Sequence, residues 1–352
     1  MGSVKVAYWG LGAMGGGMVK LAATKKGIEA VAAVGTNPAK IGKDLGEAVG
    51  LDRKLGVTVK GSLKEAVAGT RPDVLLLSTK SFVREVYPQI IEALDLGMNV
   101  VTIAEEMAYP WANAPELADK IDAHAKAKGL TVLGTGVNPG FILDTLIITL
   151  TMGCYDIKKI RAARINDLSP FGTTVMQTQG VGTTVEEFNK GIADGSIVGH
   201  IGFAESMSMI AKALGWKLDR IEQAKEPIIT EVYRETPYVK VQPGMVAGCR
   251  HTAKAYMNGE VVMEFEHPQQ IHPQLAGVET GDYIWIEGTP NFNVANKPEC
   301  PGGIGTIATA VNVIPHVINA RPGLLTMVDI PVTHALLGDV SELVCKSEKC
   351  CK

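Results

Sequence analysis

The sequence lacks the features that indicate a membrane, secreted or nucleic-acid-binding protein. Its longest apolar run, near residues 146–152, is far too short to cross a bilayer. No cationic-then-apolar leader opens the chain, and the 34 basic residues are nearly balanced by 37 acidic ones. This balance gives no reason to expect nucleic acid or an anionic membrane as a partner. We therefore expect a cytoplasmic protein with no membrane and no nucleic-acid partner.

Cysteine is also scarce, with six residues among 352. Three are scattered, which fits reduced thiols, and three crowd the C-terminal segment CKSEKCCK. That segment has no histidine and no cysteine spacing typical of a zinc site, so we expect no metal and a disordered tail at 341–352. The scattered cysteines are Cys154, Cys249 and Cys300, and the crowded ones are Cys345, Cys350 and Cys351.

Short apolar runs alternate with amphipathic segments over the first 135 residues. The run VLLLS at 74–78 is continuously apolar, which is typical of a strand buried on both faces. Such alternation predicts an α/β domain, a parallel sheet covered by helices. The predicted strands are 4–9, 28–34, 74–78, 99–103 and 130–133, and the predicted helices are 14–25, 38–49, 81–94 and 111–128.

The pattern changes after about residue 155, where strands follow one another with few helices between them. The run AYMNGEVVMEF places Asn-Gly between two apolar segments, which is a hairpin signal. We predict a second, α+β domain with an open, mainly antiparallel sheet, and then a helix that returns to the first domain. The predicted domains are 1–140, 141–302, 303–340 for the returning helix and 341–352 for the tail. The predicted strands are 157–165, 238–241, 250–257, 260–266 and 282–287, and the predicted helices are 184–193, 202–214 and 303–318.

A glycine-rich stretch follows the first predicted strand in VKVAYWGLGAMGG. Gly10, Gly12 and Gly15 form G-x-G-x-x-G between a strand and a helix, which is the context that the dinucleotide-binding fingerprint requires. The three glycines permit a tight turn, a close approach to a pyrophosphate and close packing of helix on strand. The alternative is a helix that merely packs tightly. We predict an N-terminal Rossmann domain in which the cofactor contacts Gly10, Leu11, Gly12, Ala13 and Met14.

The end of the second strand indicates which dinucleotide is bound. The strand VAAV is followed by Gly35, Thr36 and Asn37, with no acid to bind both ribose hydroxyls of NAD. Thr36 and Asn37 can donate hydrogen bonds to a 2′-phosphate, and Lys40 adds positive charge. A plain turn is the alternative, because Gly, Asn and Pro are turn residues. We predict NADP as the preferred cofactor, with NAD as the second option.

Loops after the later strands should complete the cofactor site, because ligands bind at the carboxyl ends of parallel strands. Asn138, in the loop GVNPGF, is either a cofactor contact or a helix cap. Asn312, on the returning helix, is either a contact of the nicotinamide amide or a packing residue. The predicted cofactor contacts in these segments are Ser78, Thr79, Lys80, Ala104, Asn138, Pro139, Gly140 and Asn312.

Two acids end a predicted buried strand in VVTIAEEMAYPW. A carboxyl group with apolar neighbours acquires a raised pKa and becomes a usable base near neutral pH. Adjacent residues point in different directions, so one of Glu105 and Glu106 is expected to face the nicotinamide. The alternative is that both are solvated acids at a helix start, where negative charge is favourable.

Four segments together resemble the 2,4-diaminopentanoate dehydrogenase family: WGLGAMG, TIAEEMAYPW, GVNPGF and GHIGFAES. The resemblance covers about residues 4–340. That family is related to native NAD(P)-dependent amine dehydrogenases and shares the two-domain fold of dihydrodipicolinate reductase. The chain lacks the E-x-x-x-H-H and K-x-D-x-P-S-G-T patterns of the reductase itself, which argues against that activity.

The resemblance implies oxidative deamination of the 4-amino group of 2,4-diaminopentanoate to 2-amino-4-oxopentanoate and ammonia. It also implies a catalytic glutamate, which we assign to Glu105 with Glu106 as the fallback. This base would deprotonate the substrate ammonium and later activate water. Arg161 and Arg164 lie on opposite faces of one strand, so at most one contacts the diamino acid substrate. The predicted substrate contacts are Asn166, His200 and Thr306.

Other functions remain open at the level of sequence. One is an amine dehydrogenase that acts on simple ketones, or a reductase of cyclic imines. Another is a protein that senses NADP without catalysis. A lone histidine such as His200 is more often structural than a ligand. Open sheets commonly pair with a second copy, so we also expect a homodimer.

Overall fold

The computed structural model describes residues 2–345 and separates into two compact units. Unit 1 contains the residues up to Phe141 and those from Gly302 onward, and unit 2 is Ile142–Pro301. The predicted fold class is confirmed, because unit 1 is an α/β parallel-sheet domain and unit 2 is an α+β domain. No helix among residues 2–345 is both long enough and apolar enough to span a membrane.

The strands and helices are numbered in chain order. The strands are β1 Val4–Trp9, β2 Ile28–Val34, β3 Val59–Lys60, β4 Val74–Leu77, β5 Asn99–Thr102, β6 Thr131–Gly134, β7 Asp156–Asp167, β8 Arg220–Ile229, β9 Arg234–Glu235, β10 Lys240–Val241, β11 Val246–Met257, β12 Glu260–Gln270, β13 Gly281–Thr289, β14 Phe292–Asn296 and β15 Gly323–Leu325. The α-helices are α1 Ala13–Ala22, α2 Leu45–Val49, α3 Leu63–Ala66, α4 Val83–Asp95, α5 Pro115–Lys128, α6 Thr145–Thr151, α7 Thr173–Thr178, α8 Val185–Asp194, α9 Phe203–Leu214, α10 Gly302–Asn312 and α11 Ile314–Asn319.

The sheet of unit 1 has seven strands in the order β15-β6-β5-β4-β1-β2-β3, and all its pairs are parallel. Its central strand β4 is buried at every position, because helices cover both faces. One apolar core joins this sheet to α1 and α10, and another joins it to α4 and α5. Gly17 allows α1 to lie close against α10. A Cβ atom at this position would lie only 2.2 Å from the Ile307 side chain.

Unit 2 contains a six-stranded sheet in the order β14-β13-β7-β12-β11-β8. Only the β7–β12 pair of this sheet is parallel. Asn258 and Gly259 both have positive φ in the turn between β11 and β12, as the Asn-Gly signal predicts for a hairpin. Phe188 of α8 and Phe203 of α9 are fully buried, and Phe203 contacts Phe265 on the sheet. The opposite face carries exposed charged side chains.

Three predicted helices are shorter or divided. The helix predicted at 38–49 is wrong before Leu45, because the Asn37 side chain accepts the Ala39 N–H in a turn and Asp44 caps α2. Pro115 starts α5 after a separate 3₁₀ turn at Pro110–Ala112. The helix predicted at 303–318 is divided into α10 and α11, with Pro315 in the first turn of the second helix.

Several elements were not predicted, namely the strands β3, β8, β9, β14 and β15 and the helices α3, α6 and α7. The tail predicted as disordered from residue 341 is ordered as far as Cys345. Val340–Leu343 form a 3₁₀ turn, and the Cys345 N–H donates to Asn319. Cys350 and Cys351 lie outside the described residues. Within residues 2–345, no group of three His, Cys, Asp or Glu side chains is arranged to hold a metal ion.

Candidate functional site

The glycine-rich loop contains close backbone contacts that leave no room for a side chain at two of its glycines. Gly10 has φ +98°, and a Cβ atom there would lie 2.4 Å from the Ser78 carbonyl oxygen. A Cβ atom at Gly15 would lie 1.8 Å from the Gly10 carbonyl oxygen, so both positions require glycine. Gly12 is different, because it is exposed and a Cβ atom would meet nothing within 4 Å. Open space beside Gly12, together with a first turn of α1 free of acids, fits an approaching pyrophosphate.

Lys40 connects the end of β2 with the glycine-rich loop. Its ammonium group donates to the Leu11 carbonyl oxygen at 2.5 Å, which places a positive charge at this loop. The side-chain oxygen of Asn37 accepts the Ala39 N–H at 2.9 Å, which leaves the side-chain amide N–H groups of Asn37 for another partner. Thr36 and Asn37 are exposed. The predicted turn is therefore present, and the side-chain nitrogen of Asn37 is available as a donor.

The loop after β4 helps to hold the glycine-rich loop in position. The Ser78 hydroxyl donates to the Gly10 carbonyl oxygen at 3.0 Å, which fixes the glycine-rich loop against β4. The Thr79 hydroxyl donates to Gln89 at 2.6 Å, and the exposed Lys80 ammonium lies 3.7 Å from Glu85. Their predicted contacts with the cofactor stay predictions. Each hydroxyl retains lone pairs that can accept a further hydrogen bond.

The two adjacent glutamates have different environments in a 3₁₀ turn, Glu105–Ala108. The Glu106 carboxylate accepts the N–H of Val83 at 2.8 Å, which is the first residue of α4. Negative charge is favourable at a helix N-terminus, so Glu106 has a structural function there. Burial raises the pKa of the Glu105 carboxyl, and the charge of Glu106 raises it further. Hydrogen bonds from the Glu105 N–H and from Ser81 oppose this increase in pKa. Glu105 thus has the properties expected of a base.

The loop after β6 is held by close backbone contacts. Gly140 has φ +124°, and a Cβ atom there would lie 2.4 Å from the Gly136 nitrogen. The side chain of Thr306 accepts the Val137 N–H at 3.3 Å, so α10 supports this loop. The helix-cap interpretation of Asn138 is wrong, because Asp144 caps the next helix, α6.

Three further predicted cofactor residues have simple surroundings. Asn312 accepts the Leu336 N–H at 3.2 Å, which is the packing role weighed as its alternative. Ala104 is buried, and its N–H donates to the Thr102 hydroxyl at 3.1 Å. Pro139 is also buried. None of these observations tests a cofactor contact, so all three stay predictions.

Unit 2 separates the two arginines of β7 as their spacing predicts. Arg161 is exposed, lies over the Trp285 ring at 5.5 Å and approaches Glu287. Arg164 is 2% exposed and forms an ion pair with Asp282, and its guanidinium also donates to the Cys300 carbonyl oxygen. A buried guanidinium requires such partners, because an uncompensated buried charge is strongly destabilising.

His200, one of the predicted substrate residues of unit 2, lies in a cluster of three histidines. The His200 N–H donates to His251 at 3.0 Å, and the His200 ring lies 4.8 Å from the His267 ring. Burial lowers the pKa of all three histidines, to well below the usual value at His200, to about 4 at His251 and to about 3 at His267. Asn166 is buried, and its Oδ1 has no hydrogen-bond partner among the residues that the structure describes. It can therefore accept a hydrogen bond from a ligand.

Sequence reasoning missed the row of polar side chains that crosses this sheet. Asp282 pairs with Arg164 across β13 and β7, and His267 pairs with His251 across β12 and β11. Parallel pairing of β7 and β12 places Arg164 beside His267. The sequence shows polar residues within strands that are otherwise apolar. It does not show which strands are neighbours, so it cannot show that these residues form one row.

The comparisons with known proteins agree with this architecture. Residues 4–101 match the family described as dihydrodipicolinate reductase, N-terminus, and residues 141–346 match the 2,4-diaminopentanoate dehydrogenase C-terminal domain. A 2,4-diaminopentanoate dehydrogenase of Acetoanaerobium sticklandii is 48% identical, with 100% of each chain covered. An amine dehydrogenase of Streptomyces virginiae is 27% identical, covering 95% of this chain and 98% of that protein.

A solved structure of an amine dehydrogenase from Mycobacterium smegmatis superposes with a TM-score of 0.84 at 29% identity, covering 94% of this chain and 97% of that one. Unit 1 has the fold of a nicotinamide-dinucleotide-binding domain, in agreement with its glycine-rich loop. The resemblance seen in four short segments is confirmed by full-length similarity. The chain belongs to the 2,4-diaminopentanoate dehydrogenase family.

Proposed function

We propose that the protein catalyses the NAD(P)-dependent oxidative deamination of 2,4-diaminopentanoate at C4, which yields 2-amino-4-oxopentanoate and ammonia. Membership of the family supports this reaction. The structural observation that carries the proposal is the environment of Glu105, a desolvated carboxyl with a raised pKa next to a glutamate engaged at a helix end. Deamination needs one base of this kind.

Glu105 performs the proton transfers of the reaction. Oxidation requires a neutral amine, since an ammonium group has no lone pair, so the Glu105 carboxylate accepts the ammonium proton of the substrate. When bound, the nicotinamide cofactor supplies the hydride acceptor. On the iminium carbon of the oxidised substrate, Glu105 activates water, and the resulting carbinolamine releases ammonia. Its raised pKa makes Glu105 a stronger base than an exposed carboxylate.

The amino-acid end of the substrate requires polar partners, and the predicted contacts remain proposals. Asn166 offers a buried carbonyl oxygen that can accept from an ammonium group. His200 is held by its N–H bond to His251, in surroundings that favour the neutral ring. Thr306 uses its oxygen to accept the Val137 N–H, and its own hydroxyl proton is available for an acceptor.

The surroundings of the glycine-rich loop favour NADP over NAD. The end of β2 has no carboxylate, which would repel a 2′-phosphate. Lys40 adds a positive charge that is fixed by its bond to Leu11, and Asn37 retains its two amide donors. A phosphate accepts hydrogen bonds from both kinds of group.

A homodimer formed through unit 2 is also part of the proposal. The exposed face of its sheet presents aromatic rings and charges of both signs, including stacked Tyr283 and Trp285 rings 5.7 Å apart and Arg161 over Trp285. Such a surface can be self-complementary about a two-fold axis. Sedimentation velocity should show a dimer for the parent protein and a monomer for Trp285→Glu. A parent protein that remains monomeric at micromolar concentration would remove this part of the proposal.

The decisive experiment replaces each glutamate in turn. Glu105→Gln should lower kcat for 2,4-diaminopentanoate by about 10² to 10⁴ while NADP⁺ still binds, because only the general base is lost. Glu106→Gln is the matched control and should lower stability by about 1 kcal/mol, because it weakens the negative charge at the α4 N-terminus, with kcat within about tenfold of the parent. Equal losses of kcat in both variants, or no loss in either variant, would contradict the assignment of the base.

The substrate is tested separately by the reverse reaction. Ammonia-dependent oxidation of NADPH should be faster with 2-amino-4-oxopentanoate than with 2-pentanone, because the amino-acid end contributes binding energy that the simple ketone lacks. Preference for the simple ketone would instead support an amine dehydrogenase of broad range. Cofactor binding without turnover of either compound would support a sensor.

A further inference from the structure

The order of the strands assigns each half of a dinucleotide to one side of the parallel sheet. A doubly wound sheet consists of two mononucleotide-binding halves, and in unit 1 these are β1-β2-β3 and β4-β5-β6. The first half contains the glycine-rich loop and the end of β2, where Lys40 and Asn37 offer donors to the 2′-phosphate of the adenosine. The nicotinamide half is therefore expected at the carboxyl ends of the second half, which begins with β4.

The loop that follows β4 contacts two parts of the candidate site. The Ser78 hydroxyl donates to the Gly10 carbonyl oxygen at 3.0 Å, and the Ser81 carbonyl oxygen accepts the Glu106 N–H at 3.2 Å. Thr79 lies between these two anchored residues in the chain. It is thus placed between the glycine-rich loop and the turn that carries the two glutamates.

The side chain of Thr79 is bound to helix α4. Its hydroxyl donates to the side-chain oxygen of Gln89 at 2.6 Å, and both residues are half-buried. A hydroxyl group has one proton and two lone pairs, so the Thr79 oxygen can still accept a hydrogen bond but has no proton left to donate. The phosphates of a dinucleotide only accept hydrogen bonds, so they do not suit this oxygen. The donors of the nicotinamide half are its ribose hydroxyls and its carboxamide nitrogen.

Gln89 belongs to a helix that is fixed at its start and along its length. The N–H of Val83, the first residue of α4, donates to the Glu106 carboxylate at 2.8 Å. Val86 and Ile90, on either side of Gln89 in the chain, are fully buried in the core of unit 1. The acceptor of the Thr79 proton therefore has a fixed position.

We propose that Gln89 is a positioning residue for the cofactor. It holds the Thr79 hydroxyl so that its oxygen accepts a hydrogen bond from the nicotinamide half, either from a ribose hydroxyl or from the carboxamide. The bond to Gln89 polarises the Thr79 hydroxyl and makes its oxygen a better acceptor. This inference rests on the NAD(P)-dependent activity proposed above.

Isothermal titration of the full-length protein with two ligands tests this role. NADP⁺ contains both halves of the dinucleotide, whereas 2′,5′-ADP contains the adenosine and its 2′-phosphate but no nicotinamide. Thr79→Val should raise the Kd of NADP⁺ about tenfold and Gln89→Met about fivefold, because a hydrogen bond is lost in the first variant and weakened in the second. Neither substitution should change the Kd of 2′,5′-ADP.

Two further variants show whether Gln89 acts through Thr79. Gln89→Glu keeps an acceptor for the Thr79 proton, so the ratio of the two Kd values should stay within about twofold of that of the parent. In the Thr79→Val background, Gln89→Met should cause no further loss of NADP⁺ affinity, because the hydroxyl that Gln89 orients is absent. A further loss of the same size in that background would contradict the proposal.

The 3-acetylpyridine analogue of NADP⁺, which lacks the carboxamide nitrogen, identifies the donor. Thr79→Val should weaken the analogue as much as NADP⁺ if the donor is a ribose hydroxyl, and should leave its Kd unchanged if the donor is the carboxamide. Equal weakening of NADP⁺ and 2′,5′-ADP in Thr79→Val would show only a general loosening of unit 1. Unchanged binding of both would show that no cofactor group meets the Thr79 oxygen, and either of these two results would overturn the proposal.

These titrations contain no amine, so they separate the cofactor contact from the reaction. If the affinities change as expected but 2,4-diaminopentanoate is not deaminated, only the proposed function is wrong. If the amine is deaminated but the Gln89 and Thr79 variants bind NADP⁺ as the parent does, only the positioning role is wrong.

Discussion

Acid should destabilise unit 2 through two buried histidines. His251 and His267 pair across β11 and β12. The charged groups around them are Lys225, paired with His251 across β8, and Arg164, beside His267 on β7, and the His200 ring is also close. Burial is the main cause that lowers the pKa of His251 to about 4 and of His267 to about 3, and the two cations add to the effect. Both rings are therefore neutral in the folded protein at neutral pH.

The direction of the pH dependence follows from these pKa values. An unfolded histidine titrates near pH 6.5, so below that pH the unfolded chain binds protons that the folded chain rejects. The stability is complete above pH 6.5 and is lost as the pH falls from there towards 4. At pH 5, about 1.5 units below the unfolded pKa, each histidine lowers the free energy of unfolding by about 2 kcal/mol, and the pair by about 4 kcal/mol.

Urea unfolding at pH 7.5 and pH 5, followed by circular dichroism, measures this loss. His251→Asn is the matched variant, because the asparagine Oδ1 can replace Nδ1 of His251 as acceptor of the His200 N–H. The variant does not titrate, so its loss of stability between the two pH values should be about 2 kcal/mol smaller than that of the parent. Parallel losses in parent and variant would refute the assignment of acid sensitivity to this cluster.

Two further predictions concern unit 1. Ser81→Ala removes a hydrogen bond that lowers the pKa of Glu105, so the acid limb of the pH–kcat profile should move to higher pH, and an unmoved limb would contradict this role. Lys40→Met should raise the Kd of NADP⁺ about tenfold more than that of NAD⁺, because a phosphate contact is lost. Lys43→Met, which removes an exposed lysine near Glu47, is the control and should affect both cofactors equally, and the same is expected of Lys40→Met if NADP is not preferred.

Much of unit 1 could be predicted because its signals are local. The strand before Gly10 and the helix after it are recognised from apolar runs and from glycines, and the structure gives the same order. Short elements were not predicted, because they lack such local signals. Strand β15 has three residues and exists because it adds to β6, and β8 has no fully buried position because it is an edge strand. Neither carries a periodic pattern that stands out in the sequence.

The candidate site shows a similar division. The position of the proposed base, at the end of β5, could be predicted from two acids after a buried strand. The choice between Glu105 and Glu106 could not, because it depends on Val83, 23 residues earlier in the chain. The row from Asp282 to His251 likewise depends on the strand order β13-β7-β12-β11. A single sequence gives no information on which strands are neighbours when their connections are long.

The pair of glutamates illustrates how identical neighbours acquire different chemistry. The N-terminus of α4 provides an N–H donor and a partial positive charge, and Glu106 occupies that position. Its carboxylate charge is thereby held close to Glu105, where it adds to desolvation and raises the pKa of the second carboxyl. Desolvation is the larger of the two effects and is the one that the base of the proposed reaction needs, since an exposed carboxylate is too weak to deprotonate an ammonium group, and the charge of Glu106 makes a smaller contribution. The helix start that looks like a structural detail therefore supports the basicity of the residue beside it.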